Sequence, residues 1–142
     1  MSTNEADSTG ESDLLTLIAQ MSPLLDDQIW AFVSVGEVSS EYAAEHALAT
    51  FRETEGTTLI VPWERAEEFD VCSEPMARIT LNIHSSLEAV GLTAAVSQAL
   101  ASEAISANVM AGYFHDHIFV PEAAGERAVA CLKLLSASAE GF

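Results

Sequence analysis

The second half of the chain alternates between two hydrophobic periods. Arg78–Ile83 alternates polar and apolar residues, which is the period of a strand with one buried face. The apolar residues of Val90–Ala104 recur every three or four positions and predict a helix. Ser106–Tyr113 and His117–Val120 predict two strands joined by a tight connection, and Pro121 opens a second helix. The order strand, helix, strand, strand, helix predicts an α+β sandwich.

The first half repeats this order in a weaker form. Residues 1–12 contain little that can be buried, so we expect a disordered acidic tail there. Asp13 begins a short amphipathic helix that ends near Pro23. Ile29–Val35 begins with apolar residues on both faces, as in a strand that is covered on both sides. The two halves are related by the order of their elements and not by a repeated sequence.

A hairpin and a short helix complete the first half. Ala49–Glu53 and Thr57–Val61 predict two strands, and Gly56 supplies the positive φ that a hairpin turn requires. Residues 62–68 predict a short helix whose first turns are acidic, where the helix dipole favours negative charge. Residues 37–46 fit a capped helical turn or a loop equally well. Residues 70–75 form a connector that contains the domain boundary.

Composition narrows the class of protein. A chain of 142 residues with 49% hydrophobic content can form one ordinary domain or two small domains that share a sheet. No apolar run approaches the roughly 20 residues that span a bilayer, and the N-terminus lacks the features of a signal peptide. We therefore expect a cytoplasmic protein. The two cysteines, Cys72 and Cys131, are expected to be free thiols in that compartment.

The charge disfavours two classes of partner. The chain has 22 acidic and 5 basic residues, and its formal net charge is −17. This charge repels phosphate backbones and anionic lipids, so we expect neither a nucleic-acid nor a membrane partner. Either a well-solvated acidic surface or adaptation to a salty cytoplasm accounts for it. The second explanation predicts a fold that loosens at low salt, where self-repulsion is least screened.

Two short runs resemble the signature of ACT domains. They are VGLTAAV at residues 90–96, with Gly91 where a first strand turns into a first helix, and AISANV at residues 104–109. The longer runs HSSLEAVGLTAAV and AGYFHDHIFVP resemble the small free-standing tandem ACT-like proteins. The resemblance implies two ferredoxin-like modules side by side, residues 13–71 and 72–142, with antiparallel sheets and helices packed on one face. It also implies a regulatory module that binds an amino acid or another small ligand.

The turn at residues 84–91 is the candidate ligand site. A helix N-terminus presents unpaired backbone N–H groups and a partial positive charge, which suit a carboxylate. The alternative is structural: Ser86 caps the helix, and Gly91 relieves crowding against the sheet. The resemblance favours ligand binding at an interface between modules, with Asn108 as the partner across it. The candidate ligand-binding residues are His84, Ser85, Ser86, Glu88, Val90, Gly91, Asn108 and His115.

The histidines allow two further chemical readings. His115 and His117 are two positions apart on a strand and, with His84, could form a metal site, but no conventional ligand spacing supports it. His84, Glu88 and His115 could form an acid–base pair or triad, but no catalytic motif is present. We therefore expect no metal, no cofactor and no enzyme activity. The histidines then satisfy neighbouring groups or line the ligand crevice.

Two functions remain open. The first is a regulatory or sensor protein that binds an amino acid between ACT-like modules. The second is a structural or protein-interaction module that has no ligand and acts through oligomerisation or a partner enzyme. A free-standing module must act on a partner in trans or simply hold a metabolite, and a homodimer and a partner enzyme are the two candidate assemblies.

Overall fold

The computed structural model describes residues 13–83 and 90–140. Within them, seven strands form one antiparallel sheet in the spatial order β2-β3-β1-β5-β7-β6, with the short β4 also paired to β1. The strands are β1 (Pro23–Val35), β2 (Ala49–Arg52), β3 (Thr57–Pro62), β4 (Val71–Cys72), β5 (Met76–Leu81), β6 (Asn108–Ala111) and β7 (Asp116–Pro121). The helices are α1 (residues 13–20), α2 (Ser40–His46), α3 (Leu92–Ser102) and α4 (Gly125–Glu140), with 3-10 helices at Trp63–Glu68 and Glu122–Ala124. The expected α+β fold with an antiparallel sheet is confirmed. Disorder in residues 1–12 stays a prediction, because those residues lie outside the described part of the chain.

The helices cover one face of the sheet, as predicted. Ile79 of β5 and Ile118 of β7 are fully buried beneath Val96 and Leu100 of α3 and Leu132 of α4. Alternate residues of a strand point to opposite faces, so one alternating set from each of these strands enters this core. A second cluster on the same face lies beneath α2 and the first 3-10 helix, and it consists of Ala31, Val33, Leu59, Val61 and Ala66.

The first strand is longer than the sequence pattern predicts. The apolar alternation was expected to begin at Ile29, but β1 begins at Pro23, and Pro23 pairs with Leu81 at the end of β5. The pairing register shifts between Leu25 and Ile29, which interrupts the period of two that identifies a strand from sequence. Proline is tolerated at the first position of a strand, so it did not mark a boundary here. As a result β1 pairs with strands of both halves of the chain.

The ambiguous segment 37–46 contains a helix. The Ser39 hydroxyl accepts a hydrogen bond of 3.0 Å from the backbone N–H of Tyr42, which caps the first turn of α2. The connector at residues 70–75 contains β4, which pairs with Val33 and Ser34 of β1. The placement of the domain boundary between residues 71 and 72 stays a prediction.

The two hairpins have matching geometry. Ala49 pairs with Ile60 in the first hairpin, and Asn108 pairs with Phe119 at the equivalent place in the second. The first turn is closed by a 2.8 Å bond from the Glu53 N–H to the carbonyl of Gly56, and the second by a 2.8 Å bond from Gly112 to His115. In both hairpins the second strand ends in a proline that leads into a 3-10 helix. The structure therefore contains the second copy of the architecture that the order of elements predicted.

Candidate functional site

The predicted ligand turn is described only at its C-terminal end. His84, Ser85, Ser86 and Glu88 lie outside the described residues. Val90 is 86% exposed, and Gly91 is the N-cap of α3 with φ 99° and ψ −21°. The structural alternative, in which Ser86 caps this helix, is wrong because the helix begins one residue after Gly91. The first turn of α3 contains no acidic side chain.

A side chain at Gly91 would meet two obstacles. Its φ lies in the left-handed region, which side chains other than glycine rarely adopt. A Cβ atom there would also lie 2.8 Å from Cδ2 of Leu14 in α1. The glycine is therefore required by its backbone conformation, whether or not a ligand binds beside it, and the Leu14 methyl group would have to shift to admit a side chain.

Asn108 lies on the edge strand β6, two strands away from β5, which precedes the turn along the chain. Asn108 pairs with Phe119, which pairs with Arg78, so Asn108 lies level with the middle of β5 and two strands away. Gly91 follows the C-terminal end of β5 along the chain. His115, in contrast, lies at that end, because its neighbour Asp116 pairs with Leu81.

The histidines do not form a metal site with their described neighbours. The rings of His115 and His117 are 6.5 Å apart between centroids, and Nδ1 of His117 is 3.0 Å from the Thr80 hydroxyl. Among the residues that the structure describes, no group of three or more histidine, cysteine, aspartate or glutamate side chains is placed to hold a metal ion. Burial lowers the pKa of His117, and the positive charges of Arg78 and His115 lower it further against the opposing effect of Asp116. His117 is therefore a neutral ring near pH 7.

The face of the sheet opposite the helices contains a cavity that the sequence analysis missed. Its volume is about 230 Å³, and residues of both halves of the chain line it. The lining residues are Leu48, Ala49, Ile60, Arg78, Met110, Ala111, Gly112, His117 and Phe119. The sheet curls enough for its two edge strands, β2 and β6, to reach the same cavity.

Arg78 provides the positive charge in this cavity. Its Nε and Nη2 atoms donate to Oδ2 of Asp26 at 3.2 and 2.9 Å, and its guanidinium lies 5.3 Å from the centre of the Trp30 ring. The Trp30 indole N–H donates to the same carboxylate oxygen at 3.0 Å. About a fifth of the Arg78 and Asp26 side chains is exposed, at 22% and 23%. The three side chains thus form one bonded cluster at the edge of the cavity.

The surroundings of Asp26 keep it ionised. Burial raises the pKa of its carboxyl, but hydrogen bonds from the Gln28 backbone, Trp30 and Arg78, together with the charge of Arg78, outweigh that effect and hold the pKa below its usual value. In the sequence, Arg78 is one of the polar residues that alternate with apolar ones along a predicted strand. Its sole distinguishing signal was that it is one of 5 basic residues.

Comparison with known proteins identifies the family. Models of the ACT domain match residues 9–78 and 76–133. A solved structure from Vibrio cholerae, of a protein of unknown function described as a possible transport protein, is 42% identical. It has a TM-score of 0.79 and covers 89% of this chain and 98% of its own. The chain belongs to the ACT domain family. The expected pair of tandem ACT modules is thereby confirmed.

More distant structures share the fold alone. A protein from Agrobacterium tumefaciens is 13% identical with a TM-score of 0.68, over 82% of this chain and 89% of its own. The ligand-free regulatory subunit of aspartate kinase from Thermus thermophilus is 13% identical with a TM-score of 0.59, over 82% of this chain and 96% of its own. No curated protein matches the sequence. Membership of the ACT family supports a regulatory, amino-acid-binding role in general. None of the helices in residues 13–83 and 90–140 is long and apolar enough to cross a membrane.

Proposed function

We propose that this ACT-domain protein is a regulatory or sensor protein that binds an amino acid near the turn at residues 84–91. The observation that carries the proposal is the pair of ACT-domain matches in tandem, at residues 9–78 and 76–133. ACT domains commonly bind amino acids or other small ligands as regulatory modules. The N-terminus of α3 adds a physical reason, because its first-turn N–H groups face no acidic side chain of their own turn.

The site is completed by a second copy of the chain. His115 lies at the same end of the sheet as the turn, whereas Asn108 lies on the edge strand β6, away from it. An exposed edge strand offers unpaired backbone groups to another chain. A homodimer formed along β6 brings Asn108 of one copy towards the turn of the other. The ligand then binds between ACT modules of two chains.

The protein acts in trans on a partner enzyme. Its distant structural neighbour from Thermus thermophilus is a regulatory subunit of aspartate kinase, and this chain covers 96% of it. A chain of similar fold therefore serves as a regulatory subunit in that protein. We propose the same arrangement here, with a regulatory and not a catalytic role for this chain.

Calorimetric titration with the twenty amino acids, followed by site variants, tests the proposal. We expect one amino acid or a related group to bind, and Ser85→Ala with Ser86→Ala to weaken it. Asn108→Ala should weaken it by a similar factor. Ser40→Ala, at the exposed start of α2, is the matched control. Binding that survives all three site substitutions places the ligand elsewhere, and no binding by any amino acid rejects the sensor function.

Exposed aromatic residues favour the interaction module as the second candidate. Phe51 on the edge strand β2 is 66% exposed, and Tyr113 in the turn after β6 is 77% exposed. Large apolar groups at both edges of a sheet are suited to contact with another protein. A dimer whose formation is unchanged by any amino acid, and weakened by Phe51→Ser or Tyr113→Ser, would favour this function over the sensor.

A further inference from the structure

We propose that the cavity on the open face of the sheet is a second binding site, for a small monocarboxylic acid with an apolar body and no ammonium group. A branched or aryl 2-oxo acid is a ligand of this class. The site is separate from the turn at residues 84–91, and the proposal does not depend on an amino acid binding there. It rests on the free edge of Arg78, the lining of the cavity and the asymmetry between the two halves of the sheet.

Arg78 has one edge of its guanidinium left for a ligand. Nε and Nη2 donate to a single oxygen of Asp26, so that carboxylate occupies the side edge. Nη1 has no hydrogen-bond partner among the described residues, and the face of the group lies over Trp30. The end edge formed by Nη1 and Nη2 can therefore accept a second carboxylate in the paired geometry that arginine favours.

The lining of the cavity selects the rest of the ligand. Ile60 and Phe119 lie at its base, and their side chains are only 2% and 1% exposed. Leu48, Ala49 and Met110 extend the apolar wall. A volume of about 230 Å³ exceeds the cavity of about 150 Å³ that holds benzene in an engineered protein, so a branched or single-ring acid fits. Among the described residues no acidic side chain lines the cavity, and the carboxylate of Asp26 at its edge already accepts hydrogen bonds from Arg78 and Trp30. An α-ammonium group would therefore lose its hydration without gaining a counter-charge of its own.

His117 supplies a second polar group opposite the apolar base. It lines the cavity beside Gly112, where an added Cβ would lie 3.4 Å from Nε2 of His117. Thr80 holds the other ring nitrogen at 3.0 Å. The ring is thus oriented by the sheet and offers Nε2 towards the space that Gly112 leaves open. When Nδ1 accepts from the Thr80 hydroxyl, Nε2 carries the proton of the neutral ring and can donate it to a keto oxygen next to the carboxylate.

The equivalent position in the other half of the sheet shows that the fold does not require this polar pair. Trp30 of β1 pairs with Met76 of β5. The two residues occupy equivalent positions in the two halves, because Trp30 also pairs with Pro62 and Met76 with Pro121, the last residues of β3 and β7. By the same correspondence Phe32 matches Arg78, and Phe32 packs edge-on against Phe119 at 5.1 Å. One half thus fills its face with an aromatic ring. The other half holds a charged group beside an open cavity.

Fluorescence of Trp30 gives a direct test. In a Trp63→Phe background Trp30 is the single tryptophan, and it contacts Arg78. The probes are 4-methyl-2-oxopentanoate and phenylpyruvate, compared with leucine and phenylalanine, which have the same carbon bodies and an ammonium group. We expect saturable changes for the two oxo acids at concentrations up to about 10 mM, the weak affinity suited to small ligands. The matched amino acids should bind at least about tenfold more weakly at this site.

Three variants assign any signal to the cavity. Arg78→Met should weaken oxo-acid binding by about tenfold or more, because it removes the charged donor. Ala49→Leu adds bulk to the cavity wall while both members of the Arg78–Asp26 pair are kept, and it should have the same effect even if Arg78→Met proves unstable. Ser85→Ala with Ser86→Ala should leave oxo-acid binding unchanged, which separates this site from the turn.

Specific outcomes overturn the proposal. The first is no saturable response to either oxo acid in the folded protein. The second is oxo-acid binding that survives both Arg78→Met and Ala49→Leu. The third is binding of leucine or phenylalanine that is as strong as binding of the matched oxo acid and is abolished by both Arg78→Met and Ala49→Leu. The cavity would then accept an ammonium group.

Discussion

Removing the Arg78 side chain should destabilise the sheet measurably, with or without a ligand. In Arg78→Met, the carboxylate of Asp26 loses a charged partner at 2.9 Å, and Trp30 loses its cation–π contact. Asp26 still accepts bonds from the Trp30 indole and the Gln28 backbone, so it is not left without a partner. The variant therefore reports the loss of one arginine from a cluster that is otherwise retained.

The size of the effect follows from the burial of the pair. A hydrogen bond to a charged group contributes about 1.5–3 kcal/mol, and the exposed fifth of each side chain reduces that value. The cation–π contact adds about 0.5–1 kcal/mol. The apolar contacts of methionine restore part of the loss, so we expect a net decrease of about 2 kcal/mol in the free energy of unfolding. For 142 residues this corresponds to a fall in Tm of about 6 °C.

Urea denaturation followed by far-UV circular dichroism measures this change. Arg65→Met is the matched control, because it removes the same charge from an exposed pair with Glu68 at 3.2 Å. The control should lose clearly less stability, since exposed pairs contribute little. Equal losses in the two variants would refute the reasoning, because net charge alone would then explain them.

The pH dependence of Arg78→Met provides a second check. The pKa of Asp26 is lower in the folded than in the unfolded protein, so its contribution to stability is complete above the unfolded pKa of about 3.9. That contribution is lost as the pH falls through the folded pKa. The difference between wild type and Arg78→Met should therefore be full at pH 7 and shrink below about pH 4. A difference that stays constant to pH 2 would contradict the assignment to an ionised Asp26.

Three further predictions concern separate parts of the chain. Gly91→Ala should lower the free energy of unfolding by about 1–3 kcal/mol in urea denaturation, because alanine is strained at this positive φ. A second substitution, Leu14→Ala, should remove only the steric contact with the new Cβ, and an unchanged free energy of unfolding in Gly91→Ala would mean that the turn relaxes freely. Because burial lowers the pKa of His117 in the folded protein, the wild type should lose stability as the pH falls below about 6.5. His117→Thr should abolish that loss in urea denaturation, and an unchanged pH profile would contradict the assignment. Cys72 is exposed, whereas burial and the charge of Glu103 raise the pKa of Cys131, so a thiol reagent should label Cys72 first; equal rates would refute it.

The behaviour of Gly91 limits what its substitution can reveal about function. A valine at this position meets the same left-handed φ and the same contact with Leu14, so it lowers stability whatever binds nearby. Loss of ligand response in Gly91→Val would therefore not separate the sensor from the interaction module. Ser85, Ser86 and Asn108 are better positions for that test, because all three lie outside α3 and its N-cap.

Periodic local patterns determined much of the fold. The apolar stripe of α3, including the buried Val96 and Leu100, follows the helical period, and Gly56 marks the first hairpin because its turn requires a positive φ that other residues rarely adopt. These features depend on residues close together in the chain, so they can be recognised directly from the sequence. The resemblance around Gly91 likewise identified the family, because its short motif is contiguous.

Tertiary structure decided the features that join distant residues. The extension of β1 to Pro23 depends on pairing with Leu81 across a register shift, which no local period records. Asp26 and Arg78 are 52 positions apart, and only the pairing of β1 with β5 brings them together beside the cavity. A polar residue in a strand alternation reads as a solvent-facing residue until the opposite face is known to be concave. The place of Asn108 on the edge strand β6 was likewise decided by strand order, because sequence alone does not say which strand lies next to which.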